Sequence, residues 1–230
     1  MIGETASTKT YRLRPSAWIS FLAGQHIEVQ LTAADGYRAN RFYSIGSTPD
    51  AVGTYDITVD RLKHGEVSSW FHEVARPGDT IELRGPFGGH FVWRDTDKGP
   101  LLLVAGGSGI VPIMSIIRHR AHVAPDTPAV LLYGARTMDD LIFADELVRR
   151  EQWEPHFSTV FAFSRGKAQR DTDFSRRIDS EIIGAALARL PSRPALTFVC
   201  GSNAFAESVS AMIADSGVPP GTIRVERFGE

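Results

Sequence analysis

The stretch Leu101 to Pro112, LLLVAGGSGIVP, most narrows what this chain can become. A continuous branched apolar run suits a parallel strand covered on both faces, because no position along it is left for solvent. Gly106, Gly107 and Gly109 follow at once, and then Ile113 to Arg118 reads as an amphipathic helix. Glycines at a strand end let the backbone approach a diphosphate, and the N–H groups opening the next helix then meet the anion. Pro112 suits a first helical turn, where a missing N–H costs nothing.

Around this unit the chain divides. Before it come short alternating segments with turn residues between them: Thr10 to Arg14, His26 to Leu31, Arg41 to Ile45, Tyr55 to Leu62 and Thr80 to Leu83, plus a short helix over Val67 to Val74. Such spacing predicts a small antiparallel β-barrel. The polar, Gly-Pro-ended segment Arg94 to Pro100 then marks a boundary, giving expected units 1–96 and 97–230. Beyond it, strands at Leu101 to Ala105, Ala129 to Tyr133, Thr159 to Phe163, Ala195 to Cys200 and Thr222 to Phe228 alternate with helices. The helices are expected over Ile110 to His122, Asp139 to Glu151, Asp179 to Leu190 and Ala204 to Ser216. That alternation predicts an α/β doubly wound parallel sheet.

Charge and cysteine count exclude whole classes. A net charge of −2 with no like-charge run offers nothing to nucleic acid. The N-terminus lacks the apolar core of a signal peptide, and the longest uncharged run is broken by glycines and Pro112, so no membrane span is expected. One cysteine, Cys200, rules out internal disulfides and a four-cysteine iron–sulfur cluster carried on these residues; a cytoplasmic location and a monomer are expected. His119 and His122 share a helix face, but no ligand cluster completes a metal site, so both are expected to be solvated.

In an open α/β sheet, ligands collect at the carboxyl ends of the strands. Those ends carry Gly106 to Gly109, Gly134 to Arg136, Ser164 to Lys167 and Cys200 to Asn203. A ribose-binding acid is absent after the second strand, where Arg136 stands instead, so an ordinary NAD dehydrogenase is not expected.

Four motifs in order, spread from about Tyr11 to Phe228, resemble the ferredoxin–NADP reductase superfamily of flavoproteins. They are Arg41-Phe42-Tyr43-Ser44 (with Gly24-Gln25 before it), Gly65 to Trp70, Gly107 to Pro112, and Cys200-Gly201-Ser202-Asn203, where Ser202 replaces the commoner proline. The resemblance implies FAD and NADP(H) or NAD(H) as cofactors. Tyr43 would lie against the flavin ring, Ser44 would hydrogen-bond its N5, and Arg41 would pair with its phosphates, while Phe42 and Val59 complete the flavin set. Gly65, Val67 and Ser68 would meet the diphosphate at a helix start, a place where Ser68 also suits simple capping.

For the nicotinamide nucleotide the resemblance points to Gly107, Ser108, Gly109, Arg136, Ser164, Arg165, Cys200, Gly201 and Ser202. Cys200 would shape hydride transfer by proximity, although a lone cysteine ending an apolar strand is also simple core. Glu226 and Phe228 align with a carboxylate and a flavin-shielding aromatic. Plant-type members stop at that aromatic, whereas Gly229 and Glu230 follow it here. Ser164-Arg165 resembles a pair that holds the 2′-phosphate of NADPH, with Lys167, Arg170, Arg176 and Arg177 able to add charge, so NADPH is expected over NADH. The expected activity is electron transfer from NAD(P)H through FAD to a separate protein: a ferredoxin, a flavodoxin or an oxygenase component. The alternatives are a flavin reductase serving small acceptors and a non-catalytic flavin-binding module.

Overall fold

A computed structural model describes residues 1–228; Gly229 and Glu230, which bear on the expected shielding role of Phe228, lie outside the described residues. The N-terminal part contains β1 (Ile2–Gly3), β2 (Thr8–Leu13), β3 (His26–Thr32), β4 (Arg38–Ser44), β5 (Tyr55–Asp60), α1 (Glu66–Glu73) and β6 (Glu82–Phe87). Its ladders form two three-stranded antiparallel sheets, β1-β2-β5 and β4-β3-β6. A bridge between Ile45 and Ile57 joins them. Alternation decides which faces meet: Ile27 and Val29 of β3 turn inward with Tyr55, Ile57 and Val59 of β5, Val67 and Phe71 of α1, and Tyr11. Two strand ends differ from expectation. β5 stops at Asp60 because the chain turns there, with Gly65 N–H donating to Leu62 O. β6 starts late because Arg76 and Asp79 close a turn, and pairing with β3 begins only at Glu82.

The C-terminal part runs β7 (Leu101–Gly106), α2 (Ile110–Val123), β8 (Ala129–Ala135), α3 (Ala144–Trp153), β9 (Phe157–Phe163), α4 (Ser180–Leu187), β10 (Leu196–Ser202), α5 (Asn203–Asp215) and β11 (Ile223–Phe228). All five strands are parallel in the order β11-β10-β7-β8-β9. Leu101 and Leu103 face one core, Leu102 and Val104 the other, and none of the four is exposed. Each such side chain contributes about 1.5–3 kcal/mol by leaving water, which is why β7 occupies the centre of the sheet.

Three expectations change in this part. Residues 139–143 do not begin α3: Thr137 and Asp140 close a reciprocal capping box around a single 3₁₀ turn, and Phe143 takes a left-handed φ of 61° before the helix starts. α2 is not amphipathic along its first two turns; Ile110 to Ile117 are buried throughout, because the loop after β4 covers the face turned away from the sheet. There Ser115 Oγ donates to Ser47 O at 2.7 Å, and Arg118 donates to Gly46 O at 2.6 Å while pairing with Glu146. His119 is not solvated: its Nδ1 lies 2.8 Å from Asp50 and its ring meets Trp93 edge-on. Burial works to raise the Asp50 pKa, but hydrogen bonds from His119 and Thr48 outweigh it and hold the carboxyl below its ordinary value. His122, one turn away, is exposed.

Candidate cofactor cleft

Between the two parts lies a cleft of about 1420 Å³. From the N-terminal part it is lined by Arg41, Phe42, Tyr43, Ser44, Gly65, Val67 and Ser68; from the other, by Gly107, Ser108, Arg136, Ser164, Ser202 and Phe228. Antiparallel pairing on β3 places the β4 residues, since Ser44 sits opposite His26 and Tyr43 opposite Ile27. Tyr43 packs edge-on to Phe71 at 5.8 Å, and burial pushes its phenol up to about 12, despite the opposing charge of Arg41. It is a neutral aromatic wall. Ser44 Oγ is buried and has no hydrogen-bond partner among the described residues. Arg41 is exposed and, among the described residues, its guanidinium bonds only the neighbouring Asn40 carbonyl at 2.7 Å, which leaves donors for a ligand.

Gly65 opens α1 with no side-chain cap, and the first bond that closes the helix start is Ser69 N–H to Gly65 O. Backbone N–H groups ahead of that bond form a site suited to an anion. The Ser68 hydroxyl is already engaged, donating to Gly65 O and accepting from Leu62 N–H, both at 3.2 Å. It shapes the turn.

The glycine turn after β7 serves purposes beyond ligand approach. A Cβ on Gly109 would stand 2.2 Å from the Cys200 carbonyl oxygen, so Gly109 exists to let α2 pack on β10, and it does not line the cleft. Gly107, at φ +53° with open space around it, lines the cleft, as does Gly106 before it. Tyr133 holds this turn from below, donating to Gly107 O at 3.0 Å and accepting from Ile142 N–H at 3.2 Å. Nothing in the sequence marks Tyr133 beyond its place at a strand end.

Phe205 is a second residue that sequence reasoning misses. Ser202 Oγ caps α5 by accepting Phe205 N–H at 3.3 Å, and this sets the ring over the strand ends. A Cβ on Gly201 or Gly106 would come within 2.6 or 2.8 Å of that ring. These two glycines therefore make room for the protein's own aromatic, which forms part of the cleft wall.

Several expected residues lie off the cleft surface. Val59 is wholly buried in the N-terminal core, and Cys200 is wholly buried at the end of β10. Burial pushes the Cys200 thiol up, and the charge of Glu226, its neighbour across the β10–β11 ladder, adds to this. Glu226 Oε2 is buried without a hydrogen-bond partner among the described residues. Arg165 is exposed and outside the lining, while Arg177 is part of it. Arg170 is tied to Glu151 and Asp173, and Arg176 to Asp179 and Glu181. Among the described residues no cluster of three or more His, Cys, Asp or Glu side chains could hold a metal ion, and no helix is long and apolar enough to cross a membrane.

Comparison with known proteins matches both parts. Residues 3–93 match the family "Oxidoreductase FAD-binding domain" and residues 103–211 the family "Oxidoreductase NAD-binding domain". Among curated relatives, ferredoxin–NADP reductase B of Sorangium cellulosum is 29% identical, over 90% of this chain and 85% of its own. The reductase component of propane 2-monooxygenase from Mycolicibacterium goodii is 24% identical, over 98% of this chain but 64% of its own. The chain likewise spans about three fifths of several other oxygenase reductase components, such as 59% of the toluate 1,2-dioxygenase electron transfer component from Pseudomonas putida. The fold of the flavohem-like FAD/NAD-binding domain of nitric oxide dioxygenase from Vibrio cholerae superposes with a TM-score of 0.85 at 24% identity, covering 100% of this chain and 95% of that one. With both family matches in tandem and the antiparallel and parallel sheets in the same order, the chain belongs to the ferredoxin–NADP reductase superfamily of FAD-dependent NAD(P)H oxidoreductases.

Proposed function

We propose that this chain receives a hydride from NADPH at one end of the cleft and delivers electrons singly to a separate redox protein, a ferredoxin or an oxygenase component. FAD, when bound, supplies the conversion between the two-electron and one-electron steps. The chain's residues fit that cofactor on the N-terminal side. Tyr43 offers an aromatic wall that excludes water, Arg41 and the uncapped start of α1 offer donors for the phosphates, and Ser44 Oγ offers a buried hydroxyl that lacks a protein partner. Gly107, Ser108, Ser202 and the Phe205 ring line the opposite side, where the nicotinamide nucleotide lies on this reading. The observation that carries the proposal is this shared cleft, which brings two distant sequence motifs face to face.

Arg136 and Arg177 support NADPH over NADH. Both line the cleft, and among the described residues neither makes an ion pair, whereas Arg170 and Arg176 are already neutralised. Arg165 shapes the same edge only through its backbone N–H, which donates to Arg136 O at 2.8 Å. The test is anaerobic bleaching of the yellow holoprotein by NADPH and by NADH. Arg177→Ala should cut the preference for NADPH by about tenfold, as loss of one charge-assisted phosphate contact implies, and Arg165→Ala should leave it nearly intact. A protein that purifies without flavin, or that neither nucleotide bleaches, overturns the reading. Partners follow from a panel of purified acceptors offered to the reduced protein.

A further inference from the structure

Two seams join the parts of this molecule, and the one beside the reaction centre rests on a histidine. His26 Nδ1, on β3, lies 3.3 Å from Glu226 Oε1, on β11, with the two side chains only 24% and 18% exposed. Register links each partner to a cleft motif. His26 stands opposite Ser44 in the β3–β4 ladder, and Glu226 stands opposite Cys200 in the β10–β11 ladder. One side-chain pair thus connects β3, the ladder neighbour of the strand that carries Ser44, to β11, the ladder neighbour of the strand that carries Cys200.

The imidazole is itself held. Phe42 meets it edge-on at 5.4 Å, Phe87 is tilted against it at 6.2 Å, and any Cβ on Gly88 would press on it at 3.3 Å. Two positions along β3, Glu28 is paired with Arg84 at 3.6 Å. Among the described residues, His26 is the one ion-pair partner of Glu226, whose second oxygen is buried and unpartnered. A carboxylate in that setting has no other side chain to fix its direction.

Resting on the reading of the cleft given above, we propose that His26 is a positioning residue for hydride transfer. It aims Glu226 from the opposite part of the molecule and so keeps the Cys200 and Ser44 sides of the centre in register. It acts through Glu226 and touches neither nucleotide nor flavin.

The test uses the flavin-loaded protein and three variants. His26→Leu keeps the bulk but removes the polar Nδ1 that faces Glu226; His26→Asn places an amide nitrogen close to where Nδ1 sits; Glu226→Gln removes the carboxylate that Nδ1 faces. His26→Leu should lower the limiting rate of bleaching by NADPH about tenfold, as a small misplacement of a reacting geometry does, with KM for NADPH within about twofold. It should also change the shape of the flavin difference spectrum when NADP⁺ binds the oxidised protein. His26→Asn should recover most of both. His26→Leu combined with Glu226→Gln should be no slower than the worse single variant, since the two act as one unit. Additive losses, an Asn variant as slow as the Leu variant, or a Leu variant with the wild-type rate and spectrum would each overturn the proposal. The Asn variant and the cycle decide the matter even where Leu impairs folding. A wild-type protein that NADPH fails to bleach would instead bring down the cleft reading, and this one with it.

Discussion

A hydroxyl buried without a partner gives up its bonds to water and receives nothing in return, at a cost of about 1–3 kcal/mol. Ser44 Oγ is in that position. On the proposed reading its partner is the cofactor, so Ser44→Ala should separate stability from activity. The variant should unfold in urea within about 1 kcal/mol of wild type, or be slightly more stable, because the removed group makes no protein bond. Flavin reduction by NADPH in stopped flow should slow by at least about tenfold, the scale of losing one donor aimed at a reacting atom. At this scale the sequence is informative where motif residues are contiguous: Arg41, Phe42, Tyr43 and Ser44 all reach the cleft lining. It is silent where a role comes from tertiary neighbours. His26 lies 200 positions from Glu226 in sequence, and no periodicity announces their contact.

Helix α2 and the turn before it show how one element can be read correctly and for an incomplete reason. The apolar run, the glycines and the helix are all where the sequence predicts, since strand burial and turn geometry are local properties. Yet the glycines divide the work: Gly106 and Gly107 line the cleft, Gly106 also admitting Phe205, while Gly109 admits the β10 backbone. Gly109→Ala should therefore act as a packing mutation, costing about 1–3 kcal/mol in urea unfolding through displacement of α2 from β10. A cost near zero would show that the helix can move aside freely. α3 teaches the opposite lesson. Asp139 and Asp140 look like a helix start, but Thr137 takes Asp140 into a closed turn, and the helix waits for Ala144. Propensity cannot choose between two caps a few residues apart.

The molecule as a whole is joined by polar contacts between its two parts: Ser115, Arg118 and His119 reach the loop after β4, while His26 reaches Glu226 and Arg224 reaches Val92 O. Two sheet classes in sequence order were legible from periodicity, but these joints were not, because each links single residues across large separations. Their arrangement has a consequence for Cys200, the sole sulfhydryl of the chain, sealed at 0% exposure with its thiolate disfavoured. A maleimide can reach it only when β10 is uncovered, so the rate of labelling is a clock for that opening. The wild-type protein should react orders of magnitude more slowly than in denaturant, and His26→Leu should quicken the reaction if the joint at Glu226 keeps the halves shut; equal rates would place the gate elsewhere. The molecule thus carries its own reporter of breathing, a single sulfur that only an opened strand can show to a reagent.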